Sequence, residues 1–164
     1  MNTPPIQLGN YHFTQINISA QRDNKLEDLE RFDVDVMANA FPREKDKLRE
    51  WCVFVMVEIK PKDGSSPCYL GKVEAFGLFS VIDSWKEDEI EKLVYVNGAG
   101  ILYAAIREMI CLVTSRCVYG ALMIPSYSFA QLYKEWKEVK NKQAAATTQQ
   151  VIAETSPAPI TTAA

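Results

Sequence analysis

Five side chains in this chain are the usual candidates for catalysis or metal binding: the single histidine, His12, and the cysteines Cys52, Cys68, Cys111 and Cys117. An imidazole acting as general base needs a positioned partner. None can be named for His12, which sits on a strand-like stretch near the N-terminus and reads as a structural or surface residue. Zinc needs several N, S or O ligands at short spacings. The cysteines form no CxxC, and Cys111 and Cys117 fall on different faces of a helix. They read as reduced, mostly buried thiols. Asp33 and Asp35 share one strand face and could form a paired-carboxylate site, but a solvated strand face accounts for them. Gly98-Ala99-Gly100 precedes a helix without the third glycine of a dinucleotide fingerprint or the lysine of a phosphate loop, leaving at most a weak anion site there. Basic residues are not interleaved with aromatic ones, so nucleic acid is disfavoured. These residues predict no enzyme, no metal site and no cofactor.

The apolar surplus says more. The chain has 164 residues, 48% of them hydrophobic, and a net charge of −3. That suits one domain with a real core and gives no bias toward a polyphosphate partner. The start, MNTPPIQLG, has neither a basic nor an apolar signal region, and no apolar run approaches the ~18 residues of a membrane span. A cytoplasmic protein is expected.

The strongest stretch is Asn97 to Arg116. Within it, Ile101 to Thr114 is apolar around most of a helical circumference, so two sides must be covered. Asn97-Gly98-Ala99-Gly100 reads as the break before this helix and Cys117-Val118-Tyr119-Gly120 as its end, with Arg107 and Glu108 at a wet edge or an interface. One small sheet covers one side, and a sister subunit could cover the other. Strands are predicted at Tyr11–Ile18, with a slip near Gln15, at Phe32–Val36, at Trp51–Ile59 and at Tyr69–Val81. Residues 37–49 read as a loop. Gly71 and Gly77 suggest a bulge or a close backbone approach. A helix over Trp85–Tyr95 has Ser84 and Glu87 as a capping box. A last helix follows Ser128, with Phe129, Leu132, Tyr133, Trp136 and Val139 or Lys140 on one face. The expected class is α+β: a four-stranded antiparallel sheet with a long central helix and a C-terminal helix on one side. Residues 1–142 form the domain, and the neutral low-complexity stretch 143–164 is expected to be disordered.

The segment from Phe32 to Trp136 resembles the SecB family of bacterial export chaperones. The resemblance is carried by Phe32-Asp33-Val34-Asp35-Val36, Tyr69-Leu70-Gly71-Lys72-Val73 leading to Gly77-Leu78-Phe79-Ser80-Val81, Asn97, Ile101-Leu102-Tyr103, Arg107-Glu108, Ser115-Arg116 and Ile124-Pro125 with Phe129. It implies a homotetramer built as a dimer of dimers, with the long helices between sheets. It also implies an ATP-independent holdase that binds unfolded polypeptides in apolar grooves and delivers secretory precursors to SecA. Expected client-binding residues are Leu26, Leu29, Phe32, Val34, Trp51, Phe76, Leu78 and Trp85. Expected oligomer contacts are Ile101, Leu102, Ala105, Met109, Leu112 and Val73. Lys72 stands where the family has an acid facing SecA, and a charge reversal there should repel a basic partner. The SecA contact is therefore doubtful, and a divergent chaperone dedicated to one client such as an antitoxin is the alternative. A non-chaperone oligomeric interaction protein is the other.

Overall fold

The computed structural model describes residues 4–21, 32–44, 46–62 and 65–154, with side chains as far as 142. The chain divides into two compact units, Met1–Phe129 and Ala130–Ala164. The first unit is an antiparallel sheet with helices on one face. Its strands are β1 (Ile6–Ala20), β2 (Phe32–Pro42), β3 (Glu50–Pro61) and β4 (Tyr69–Val81), in the order β1-β4-β3-β2. β2 runs through Pro42, so residues 37–42 are strand where a loop was expected. Ala38 and Ala40 continue the inward alternation that Val34 and Val36 begin, and both are buried.

β1 has an uneven apolar pattern that two register shifts resolve, one between Leu8 and Asn10 and one between Phe13 and Gln15. Each extra residue resets the two-residue side-chain period. Ile6 and Leu8, then Tyr11 and Phe13, then Ile16 and Ile18 are thereby brought opposite the inward-facing positions of β4 and Gly71. The second shift falls at the predicted slip. Gly71 allows β1 to come this close, because a Cβ there would lie 2.2 Å from the Asn17 carbonyl oxygen.

On the covered face, Val53, Val55, Val57 and Ile59 of β3 lie beside Val73, Ala75, Phe79 and Val81 of β4, all buried. Helix α1 (Glu87–Leu93), a π-turn (Val94–Gly98) and helix α2 (Ala99–Thr114) supply Ile90, Val94, Leu102, Ile106 and Ile110 to the core. The break expected at Asn97–Gly100 is not a break. The backbone stays helical because Gly98 lets the turn approach the sheet, where a Cβ would meet Val53 Cγ2 at 3.0 Å. The Asn97 side-chain amide donates to the Leu93 carbonyl at 3.0 Å, serving an acceptor within the widened turn. The capping box also does not form: Lys86 is the N-cap and no side chain caps the helix, although Glu87, Asp88 and Glu89 fill its first turn as the dipole favours.

Buried hydroxyls tie the layers together. Tyr95 donates to the Ala38 carbonyl at 3.1 Å, Tyr69 to that of Gly120 at 2.7 Å and Tyr103 to that of Pro125 at 2.6 Å. Thr114 is fully buried. Its Oγ1 donates to the Ile110 carbonyl at 2.7 Å and accepts the Leu122 N–H at 2.8 Å. The continuous run Glu87–Thr114 is long and apolar enough by length and composition to cross a membrane, which the unbroken-run test missed because charges interrupt it. A core helix passes the same test, and this one packs on the sheet.

The second unit holds most of helix α3 (Phe129–Glu154). Its helical backbone continues past residue 142, and 155–164 lie outside the described residues. Lys140 Nζ sits 4.5 Å over the Trp136 ring and Lys137 Nζ 5.5 Å over that of Tyr133, cation–π contacts along the aromatic stripe.

Candidate functional site: apolar surfaces of the sheet and of α2

The expected client-binding residues do not form one surface. Leu26 and Leu29 lie outside the described residues. Phe32 and Val34 pair with Pro61 and Ile59, which places them on the helix-covered face at the β2 edge, where both are half-buried. Trp51 pairs with Phe79 on the same face but is buried at 7%, with Nε1 donating to the Leu48 carbonyl at 2.8 Å. Phe76 and Leu78 are on the other face, opposite Phe54 and Cys52. Trp85 is half-buried beyond the sheet end, where the Arg49 guanidinium holds its carbonyl and that of Ile82. The sequence signal that separates these residues is parity. Val73, Ala75, Gly77 and Phe79 alternate with Phe76 and Leu78, so a two-residue period puts the two sets on opposite faces.

The expected oligomer contacts also split. Leu102 and Val73 are fully buried within the protomer. They belong to its own core and not to a free surface. A Cβ at Gly77 would meet Leu102 at 3.0 Å, so this side chain fills the space above β4. Ile101, 40% exposed, and Leu112, 56% exposed, point away from the sheet, with Ala105 and Met109 half-buried. Beside them lies a hollow of about 460 Å³ lined by Ala104, Arg107, Glu108, Cys111, Leu112 and Met123. Arg107 Nε donates to the Ile124 carbonyl at 3.1 Å, so this guanidinium is anchored in its own protomer while Glu108 is exposed. On the same side of the sheet, Leu8, Tyr11 and Ile16 of β1 remain 36%, 41% and 45% exposed. One protomer therefore leaves a run of apolar side chains uncovered along β1 and α2, more than scattered exposed residues would explain.

Titratable chemistry is sparse among the described residues. His12 is exposed and its ring lies 5.5 Å from that of Phe76. No group of three or more His, Cys, Asp or Glu is placed to hold a metal ion among the described residues. Burial pushes the Cys52 thiol up, partly offset by Arg43. Burial also raises the Tyr69 and Tyr103 hydroxyls above the ordinary phenol value. Lys60 is raised chiefly by its hydrogen bond to Asp35. Lys72, the reversed charge, is paired with Glu74 at 2.6 Å.

A four-stranded antiparallel sheet covered on one face by a long apolar helix, with apolar side chains left exposed along β1 and α2, defines the class of fold. The chain belongs to the SecB family: the family model described as preprotein translocase subunit SecB matches residues 14–140. This is a family of chaperones. No curated protein sequence matches the chain. Among solved structures, it is similar to the Mycobacterium tuberculosis Rv1957 SecB-like chaperone in complex with a ChAD peptide from the Rv1956 HigA1 antitoxin. That match has 19% identity and a TM-score of 0.56, covering 76% of this chain and 88% of that one. It establishes the shared fold. A protein of unknown function from Streptococcus agalactiae, at 12% identity over 73% of this chain and 92% of that one, has a TM-score of 0.34, too low to carry an argument.

Proposed function

We propose that this protein is an ATP-independent holdase that keeps unfolded polypeptides soluble in the cytoplasm and works as a homotetramer, a dimer of dimers. The observation that carries the reading is the uncovered apolar tract of Leu8, Tyr11, Ile16, Ile101 and Leu112 on a chain of the SecB family. Sister subunits cover the α2 part of that tract. Client segments take the edge of the covered face around Phe32 and Val34, reached from the side, with Leu26 and Leu29 as the further client contacts that the sequence offers. Burying one client Leu or Phe contributes about 1.5–3 kcal/mol. Several such contacts on one client, and several grooves on one tetramer, give tight binding without sequence selectivity. Holding a chain requires affinity only, so no nucleotide is consumed.

A dedicated client is the second reading. The neighbouring M. tuberculosis chaperone is bound to an antitoxin peptide, and Lys72 places a cation on a surface that family members present to SecA as acidic. Under this reading, export is not the task and SecA is not a partner. The test of holdase function is suppression of aggregation of a reduced, unfolded protein without nucleotide, comparing wild type with Phe32→Asp/Val34→Asp. Loss of suppression with the assembly mass unchanged is expected. Full suppression by the double variant excludes this edge, and no suppression by wild type leaves a non-chaperone oligomer as the answer. Delivery to SecA is tested separately by co-sedimentation with SecA.

A further inference from the structure

All four cysteines are thiols, and two of them belong to one corner of the fold. Cys52 lies on β3 opposite Phe41 and Leu78, and Cys111 lines the hollow beside α2. Cys68 and Cys117 are 49 residues apart in the chain, yet their segments are laid against each other. The Tyr69 hydroxyl, next to Cys68, donates to the Gly120 carbonyl at 2.7 Å, with that of Thr114 at 3.4 Å. The Cys117 N–H donates to the same Thr114 carbonyl at 2.8 Å, and the Gly120 N–H to the Cys117 carbonyl at 3.1 Å. The Tyr119 ring stands edge-on to that of Tyr69 at 5.8 Å, and its hydroxyl donates to the Gln21 carbonyl. The Gln21 N–H in turn donates to the Cys68 carbonyl at 2.9 Å. Two phenols and one strand end thus clamp the turn that carries Cys117 onto the start of β4. Burial raises the Tyr69 hydroxyl most, and the Cys117 and Cys68 thiols raise it further, so both sulfurs are within electrostatic reach of one phenol oxygen.

We propose that Cys117 and Cys68 are a reversible thiol pair, a site at which a small-molecule disulfide oxidises the protein and staples the end of α2 to the start of β4. The two thiols differ in access. Cys68 has no exposed surface, whereas Cys117 is half-buried, so Cys117 reacts first. Its Sγ lies 3.5 Å from the Val113 carbonyl, a weak contact that a rotation about χ1 gives up. The Cys117 thiolate attacks one sulfur of the reagent; a mixed disulfide forms and one small thiolate leaves. The Cys68 thiolate then attacks the Cys117 sulfur, closing the Sγ–Sγ bond and releasing the second small thiol. Two electrons and two thiol protons pass to the reagent, which departs as two thiols. Cys111 is the competing partner in sequence, but six residues along a helix turn it to another face. A pair of this kind stays reduced in a reducing compartment and closes only when the thiol pool is oxidised.

The test uses the full-length protein equilibrated with oxidised and reduced glutathione at a series of ratios, acid-quenched, alkylated and mapped by mass spectrometry. Trypsin puts each cysteine in its own peptide, because Arg116 separates Cys111 from Cys117 and Lys62 and Lys72 flank Cys68. A Cys68–Cys117 linked peptide is expected from the native protein. Oxidation in urea should favour Cys111–Cys117 instead, because the shorter loop closes more easily. Cys68→Ala should leave Cys117 carrying one glutathione. The oxidised wild type should show a urea midpoint raised by about 1–2 M, reversed by dithiothreitol and absent in Cys117→Ser. The wild-type map decides the matter even if Cys68→Ala fails to fold. No linked peptide at any ratio, native linkage of Cys111 to Cys117, a Cys68–Cys117 link formed equally well in urea, or an unchanged midpoint on oxidation would overturn the assignment. These measurements read thiols and stability, so they stand apart from the holdase reading.

Discussion

The outward face of α2 gives the sharpest prediction about assembly. Ile101 and Leu112 keep 40% and 56% of their surface exposed in the protomer. Full burial of such a side chain is worth about 1.5–3 kcal/mol. Scaled to the exposed part, the two contribute about 1.4–3 kcal/mol per protomer, and a two-fold interface counts them twice. Leu112→Asp removes about 2–3 kcal/mol of that across the interface and buries a carboxylate besides. The dissociation constant between dimers should rise by roughly 30- to 150-fold from the apolar loss alone, and further from the charge. Sedimentation velocity over a dilution series reads this directly, with far-UV circular dichroism as the control for folding. The position is exposed in the protomer, so the spectrum should not change. An assembly mass equal to wild type at every concentration would refute the idea that α2 is shared between subunits.

Two further outcomes concern the fold. Thr114→Val keeps the side-chain shape but leaves the buried Leu122 N–H without its acceptor at 2.8 Å, and should cost about 1–3 kcal/mol in urea denaturation. At high pH, the raised hydroxyls of Tyr69 and Tyr103 mean that the folded state holds its protons longer than the unfolded state. Their stabilisation is therefore complete below the ordinary phenol value and lost as pH rises beyond it. Denaturation midpoints should fall above about pH 10, and Tyr103→Phe should flatten that fall while lowering stability at neutral pH by about 1 kcal/mol through loss of the Pro125 contact.

Much of the sheet was legible because strand alternation is a local signal. Trp51–Ile59 and Tyr69–Val81 lie within or coincide with the observed strands, and the slip near Gln15 is a real register shift. The second half of β2 was not legible: Met37-Ala38-Asn39-Ala40 has weak strand propensity, and pairing with β3 decides it. The supposed break at Asn97–Gly100 failed for a related reason. Glycine is a breaker in isolation, but Gly98 sits close against the sheet, where a Cβ would come within 3.0 Å of Val53 and 3.5 Å of Phe79, so tertiary packing holds the π-turn there. The candidate surfaces were half legible. The types of residue were apparent, but Phe76 and Leu78 were pooled with Phe32 and Val34 although their parity in the chain already divides them. Val73 and Leu102 look like any other apolar position until the depth of the core is known.

The register shifts of β1 give this strand something like a reading frame. Ile6 and Leu8, Tyr11 and Phe13, and Ile16 and Ile18 form three segments whose phase alternates from even to odd and back, and only the extra residues reconcile them. Side chains along β1 can therefore vary widely, while the loss of a single residue such as Thr14 would turn every apolar position on one side of it to the wrong face. Sequence drift in this strand should proceed by substitution and spare its length.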